Sequence, residues 1–285
     1  MHTLTSWWRL PWFARQPPDP SQRTVDRVAA EAARQRGSVA LVGAGPGDPE
    51  LLTRKAWRLL QHADVVVYDA LVSAAVMAEI PAQVKRLYVG KRKNQHSMAQ
   101  SAISELLVQL AQQGKRVVRL KGGDPLVFGR LGEELATLRQ ANINVSLVPG
   151  ITAAAGCAAQ CGFPLTERQQ APRLRFVSAH SCDGNPLDWA DLARRDETLV
   201  FYMGLSMAAT ISTELQRHGL PADWPVLVVE NGTLPEERRV ATTLAQLPGE
   251  ISRYQIRSPA LIYVSRVVRE QCSVLNAPVA TALRD

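Results

Sequence analysis

Val117-Val118-Arg119-Leu120-Lys121-Gly122-Gly123-Asp124-Pro125-Leu126-Val127-Phe128-Gly129-Arg130 is the stretch on which the fold turns. Val117 to Leu120, β-branched or apolar at most positions, predict a short strand. The strand stops at Gly122-Gly123, where two residues without a Cβ let the backbone turn sharply and a ligand approach closely. Asp124 supplies a carboxylate at the exit, and Pro125 stiffens the turn by fixing φ. Open α/β sheets bind their ligands at the ends of such strands. An ordinary tight turn has the same look, so the segment has to be read with its neighbours.

The same order of strand, glycine loop and helix opens the folded part. Residues 38–42 read as a buried strand that runs into Gly43-Ala44-Gly45-Pro46-Gly47-Asp48-Pro49 and then a helix over 54–62. A dinucleotide fingerprint would need G-x-G-x-x-G, but position 48 is Asp, and Pro46 and Pro49 obstruct a helix N-terminus from reaching a pyrophosphate. Strands over 64–68 and 86–89, and one ending in Leu147-Val148-Pro149-Gly150, alternate with helices near 74–80, 100–113 and 132–140. Of these, the 100–113 helix puts Ile103, Leu106, Leu107 and Leu110 on one face. This half is therefore α/β with a mostly parallel sheet. A helix over 151–161, with Thr152 placed to cap it, leads to a second set of strands at 173–178, 198–204, 226–230 and 260–264. A helix lies near 206–218, and hairpin-like turns near Pro235 and Pro259. The expected organisation is an N-terminal extension over 1–36, an α/β domain over 37–149, a second over 150–268, and a tail over 269–285.

Composition limits the function. The 33 Lys+Arg against 26 Asp+Glu give a net charge of +7, which favours an anionic partner. Outside Trp7-Trp8-Arg9 and Trp12-Phe13 the basic residues are scattered rather than clustered with aromatics, so a nucleic-acid-binding module is the weaker reading. No run is long and apolar enough to span a bilayer, and no signal-peptide core is evident, so a soluble, cytoplasmic chain is expected. Cysteines at 157, 161, 182 and 272 are too few for a disulfide framework and lack zinc spacing; free, buried thiols are the expectation. The aromatic and proline-rich 1–36 stretch is expected to be a dispensable extension, so a chain starting near Gly37 should keep the function of the whole.

Seven segments in one order carry a resemblance: the 43–49 loop, Tyr68-Asp69-Ala70-Leu71-Val72, Val89-Gly90-Lys91-Arg92, Gly122-Gly123-Asp124-Pro125, Val148-Pro149-Gly150-Ile151-Thr152-Ala153, Phe201-Tyr202-Met203-Gly204 and Glu230-Asn231-Gly232-Thr233. Together they resemble the tetrapyrrole (corrin/porphyrin) methylases over roughly residues 38–268. The resemblance implies two α/β domains with an active-site cleft between them, S-adenosylmethionine as methyl donor (S-adenosylhomocysteine as product), and a homodimer. It implies C-methylation of a small-molecule tetrapyrrole, uroporphyrinogen III, at C2 and C7. The product would be precorrin-2, formed via precorrin-1 on the route to sirohaem, cobalamin or haem d1.

Carried over residue by residue, the donor would be held by Pro46, Gly122, Gly123, Asp124, Val127, Thr152, Ala153, Met203 and Gly232. Asp69 would take the proton released after methylation, and Lys91 would act as proton donor. Without the resemblance, Asp69 reads as a helix cap and Lys91 as a solvated lysine. Arg130, Glu133 and Arg168 stand beside family-like segments and would meet the acceptor, because guanidinium forks suit carboxylates. His96 and His180 rank below them. Departures from the family pattern, such as Gln169-Gln170 after Arg168, fall on the acceptor side. A methylase acting on a later corrin intermediate or on RNA is the alternative within the same superfamily.

Overall fold

The computed structural model describes residues 37–90, 99–180 and 186–269. The expectations for 1–36, for Lys91 and His96, and for the tail from 270 lie outside these residues. In the first half, β1 (Ser38–Gly43), α1 (Arg54–Gln61), β2 (Val65–Tyr68), α2 (Ala74–Ala78) and β3 (Lys85–Tyr88) come first. They are followed by α3 (Gln100–Gln112), β4 (Arg116–Lys121), α4 (Leu131–Gln140) and β5 (Asn144–Val148). The strands form one wholly parallel sheet in the order β3-β2-β4-β1-β5.

Alternation along β1 explains the layering. Ala40 and Val42 point to the face covered by α1 and α2, where Ala56, Leu60 and Val76 are buried. Val39 and Leu41 point to the opposite face, against Ile103, Leu107 and Leu110 of α3 and Leu138 of α4. Burying one such aliphatic side chain contributes about 1.5–3 kcal/mol, so both faces hold their helices firmly. The chain leaves β1 toward β2 over one face and leaves β4 toward β5 over the other. Between these neighbouring strands the connections diverge, which opens a crevice at their carboxyl ends. Both glycine loops, 43–47 and 122–124, emerge there.

The second half starts with α5 (Ala153–Cys161) and continues through β6 (Arg173–Ser178), α6 (Trp189–Leu192), β7 (Glu197–Tyr202) and α7 (Ala208–Arg217). β8 (Pro225–Glu230), β9 (Arg238–Thr243), α8 (Leu247–Arg253) and β10 (Ala260–Val264) complete it. Its sheet runs β6-β7-β10-β8-β9, and only β6 and β7 are parallel. α5 packs on one face, over Val200, Leu227, Val229, Leu261 and Tyr263. Helices α6, α7 and α8 cover the other, over Leu199, Phe201, Val226, Val228 and Ile262. The sequence reading omitted β9, α6 and α8. Strand β9, Arg-Arg-Val-Ala-Thr-Thr, is an edge strand that buries only Val240 and Thr242, so it lacks an apolar run. Cys157 and Cys161 are free and buried on α5, one turn apart. Burial pushes the Cys157 thiol up to about 12, which leaves it protonated and unreactive near neutral pH.

Candidate active site

The first two turns of α5 are where the two halves meet. Pro46, from the first glycine loop, lies so close to α5 that a methyl group on Gly156 would come within 2.4 Å of its ring. On the other side, Gly232 approaches Cys157 with the same intimacy, 2.1 Å from a notional Cβ to the sulfur. Asp48 donates its backbone N–H to Thr233 Oγ1 at 3.2 Å, which ties the 44–53 loop to the loop after β8. The second glycine loop joins the first through a two-way bridge, with Gly123 N–H to Gly45 O at 2.7 Å and Gly45 N–H to Gly123 O at 3.1 Å.

Gly123 itself has φ +67 and looks onto the α5 N-terminus. Among the described residues, a Cβ built on it meets only the Ala153 amide nitrogen, at 3.6 Å. The space above this residue is open, and most of the glycines deeper in the same crevice are not. Gly122, for example, would drive a Cβ to 2.5 Å from Leu71. Asp124 is half-buried at the exit; its Oδ1 accepts from Leu126 N–H at 3.0 Å and its carbonyl from Val127 N–H at 3.0 Å. The carboxylate keeps further lone pairs for a ligand hydroxyl.

Backbone strain gathers on the surrounding loops. Seven non-glycine residues among those described have positive φ, and five of them, Phe128, Arg130, Met203, Asn231 and Thr233, lie on the loops that follow β4, β7 and β8. Thr233 at φ 67 is β-branched, a costly conformation, and is held by Glu237 Oε2 accepting from its N–H at 2.7 Å. Met203 follows β7 with φ 55 and is 52% exposed, an unusual place for a large apolar side chain. Strain concentrated in this way marks sites that a rigid frame holds ready for a ligand.

Thr152 departs from its expected role. It occupies the N-cap position of α5, yet its side chain makes no capping bond. Its hydroxyl instead pairs with Tyr202 Oη at 2.6 Å, and Tyr202 Oη accepts from Ala154 N–H at 3.1 Å, doing the capping from another strand. Burial raises the Tyr202 hydroxyl above its usual range, so it stays protonated. Phe128 packs on the same ring, with centroids 5.1 Å apart. Tyr202→Phe should cost about 1–3 kcal/mol of stability, because it leaves a helix N–H and the Thr152 hydroxyl without partners. Thermal unfolding of the variant would check this, and an unchanged midpoint would show that water replaces the phenol.

Asp69 is not a helix cap. Ser73 caps α2, accepting from Val76 N–H. Asp69 Oδ1 accepts from Leu71 N–H at 3.2 Å, and Oδ2 accepts from Arg119 Nη2 at 2.9 Å. Arg119 is 3% exposed and Asp69 25%, so a buried guanidinium presents a carboxylate at the crevice edge. Arg130 is engaged by its neighbour: Nε donates to Glu133 Oε1 at 2.8 Å and Nη2 to Oε2 at 2.7 Å. That guanidinium holds the Glu133 carboxyl below the usual range. The pair is exposed and contributes little to stability. Arg168 stands exposed on the turn joined by the Glu167–Ala171 bridge. His180 is exposed and lies 3.0 Å from Ser206 Oγ.

Sequence reasoning missed Arg119, Lys121 and Tyr202. One signal was available: central parallel strands are apolar on both faces, whereas β4 carries Arg119 and Lys121 on one face at its carboxyl end. Among the described residues no group of three His, Cys, Asp or Glu is arranged to hold a metal, and no helix is long and apolar enough to cross a membrane.

The likeness to known proteins follows the same architecture. A siroheme synthase of Enterobacter sp. (strain 638) is 51% identical over 256 residues, 90% of this chain but 56% of that protein. The chain thus spans about half the length of the curated relatives it matches. The structure of a uroporphyrin-III C-methyl transferase from Thermus thermophilus, complexed with S-adenyl homocysteine, is 43% identical. It superposes with a TM-score of 0.71 over 82% of this chain and 100% of that one. A cobalt precorrin-4 methyltransferase gives 0.73 at 29% identity, over 80% and 94%. The family profile of the tetrapyrrole methylases matches residues 38–248, a span that takes in the first sheet, the α5 junction and every strand of the second sheet but β10. The chain belongs to the tetrapyrrole (corrin/porphyrin) methylases.

Proposed function

We propose that the chain transfers methyl groups from S-adenosylmethionine to uroporphyrinogen III at C2 and C7, giving precorrin-2 via precorrin-1 for siroheme formation. One observation carries this reading: an open, glycine-floored cradle and an arginine-held carboxylate sit at the same edge of the parallel sheet. The names of the siroheme synthases and of the Thermus thermophilus enzyme support the acceptor, and the S-adenyl homocysteine in the latter's structure supports the donor.

The residues present fit such a donor, because the space over Gly123 is open: a Cβ there would meet only the Ala153 nitrogen, at 3.6 Å. Pro46, Gly122, Gly123, Asp124, Val127, Thr152, Ala153, Met203 and Gly232 would hold it. When bound, S-adenosylmethionine supplies an electrophilic methyl group on a sulfonium. Val127, Ala153 and Met203 exclude water from the cleft, and Asp124 takes a hydroxyl. Fixing both partners in such a cleft can lower the barrier by up to about 7–11 kcal/mol through proximity alone.

Arg130 and Arg168 bind acceptor carboxylates, and Arg130 exchanges or shares its Glu133 partner to do so. Attack by a pyrrole carbon leaves the ring cationic, and Asp69 takes the proton whose loss restores neutrality. Lys91 is the proton donor in this scheme. Residues 37–149 and 150–268 act as two domains about the cleft, and the enzyme works as a homodimer, which light scattering would check.

The deciding experiment is incubation of the purified chain with S-adenosylmethionine and uroporphyrinogen III. The expected result is precorrin-2, identified by absorbance and mass. Binding of S-adenosylhomocysteine without methylation of this acceptor would move the assignment to a later corrin.

A further inference from the structure

Behind Asp69 lies a buried ionic cluster with no obvious use in stability. Glu134 of α4 is fully buried, and its Oε1 accepts three bonds: from Arg119 Nε at 3.2 Å, Lys121 Nζ at 3.0 Å and Gln100 Nε2 at 2.9 Å. Its Oε2 has no partner among the described residues. Burial, and then the neighbouring Arg119, pushes the Lys121 ammonium down. Arg119 is gripped on three sides, by Glu134, by the Leu120 carbonyl at 3.0 Å and by Asp69.

Buried ion networks are often neutral or worse for stability compared with apolar packing of the same volume. This one interrupts an otherwise aliphatic layer between β4 and helices α3 and α4. It is also aimed at a single half-exposed group, Asp69. Its charges make the arrangement intelligible: Arg119 and Lys121 are balanced by Glu134 and Asp69. If Glu134 lost its charge, two buried cations would have Asp69 alone to balance them. Arg119, its Nε no longer held by the Glu134 carboxylate, would rotate toward both oxygens of Asp69, draw Asp69 inward and occupy the lone pair that must receive a proton.

We infer that Glu134 is a positioning residue for the methylation reaction, restraining Arg119 and Lys121 so that Asp69 keeps a carboxylate lone pair available to the acceptor. The inference rests on the reading of Asp69 as proton acceptor given above.

The test compares the wild-type chain, Glu134→Gln, Asp69→Asn and the double variant, with uroporphyrinogen III and S-adenosylmethionine. Glu134→Gln should lower the single-turnover rate about 10–100-fold, the scale of a misplaced catalytic group. Its KM for the acceptor and its affinity for S-adenosylhomocysteine should stay within about threefold. A defect in packing alone would instead lower thermal stability and donor affinity together. Because Glu134 acts through Asp69, the double variant should be no slower than Asp69→Asn, whereas independent sites give losses that multiply.

A near-normal rate for Glu134→Gln, or multiplying losses in the double variant, overturns the inference while leaving Asp69 as base if Asp69→Asn is slow. Near-normal turnover by Asp69→Asn removes the base and the inference with it. Should Glu134→Gln fail to fold, Arg119→Lys takes its place. A lysine reaches one partner but not both, so the same loss of rate is expected, and wild-type turnover overturns the inference.

Discussion

Asp69→Asn is expected to cut single-turnover methylation by roughly 10²–10⁴-fold, the range typical of a lost general base, while S-adenosylhomocysteine binds nearly as before. The structure sharpens this test. Asp69 caps no helix, so asparagine's good capping is irrelevant to the outcome. What asparagine cannot do is accept from Arg119 and from Leu71 N–H through two separate oxygens. One of those bonds is lost, and stability should fall by about 1.5–3 kcal/mol, the range for a hydrogen bond to a charged group. A drop in melting temperature with turnover preserved would mark Asp69 as an anchor for Arg119 and nothing more. A drop in turnover far beyond what the stability loss explains would mark it as the base. Rate and unfolding must therefore be measured on the same preparation.

The second large effect is expected at Gly123. Valine there should weaken S-adenosylhomocysteine about a hundredfold or more. Steric intrusion costs of about 1–3 kcal/mol are usual, and each 1.4 kcal/mol is a factor of ten. Two contributions can be separated. A Cβ alone meets only Ala153 N at 3.6 Å, so Gly123→Ala fits sterically and suffers only from φ +67. That backbone penalty is about 1–2 kcal/mol for a residue with a side chain, and it should appear as lost stability. Valine adds two methyl groups that reach into the cradle, and these should appear as lost affinity. Calorimetry on both variants tells the contributions apart. Equal affinities for alanine and valine would mean that the donor does not lie over Gly123.

Local chemistry made much of the fold legible. Apolar runs ending in glycine loops predicted β1 and β4, and the spacing of Ile103, Leu107 and Leu110 predicted the buried face of α3. Gly122-Gly123-Asp124 could be recognised as a ligand loop because an open backbone and a carboxylate are properties of the residues themselves. Strand β9 was not legible, since an edge strand needs no apolar run and its pairing with β8 is made by backbone groups that every residue carries.

By itself, then, the sequence determined the order of elements, the two glycine loops and the residue types around them. Only the tertiary structure decided which partners those residues take. Thr152 sits at a cap position, but its hydroxyl goes to Tyr202, 50 residues away. Asp69 stands where a cap is expected, but it is held by Arg119, also 50 residues away. Helix α5 is locked to the second sheet by Tyr263 Oη donating to the Ala154 carbonyl, across 109 residues. A local pattern reports a residue's propensity and the face it occupies. It carries no information about which polar group another strand will bring within 3 Å, because that depends on how the sheets stack and where their strands end.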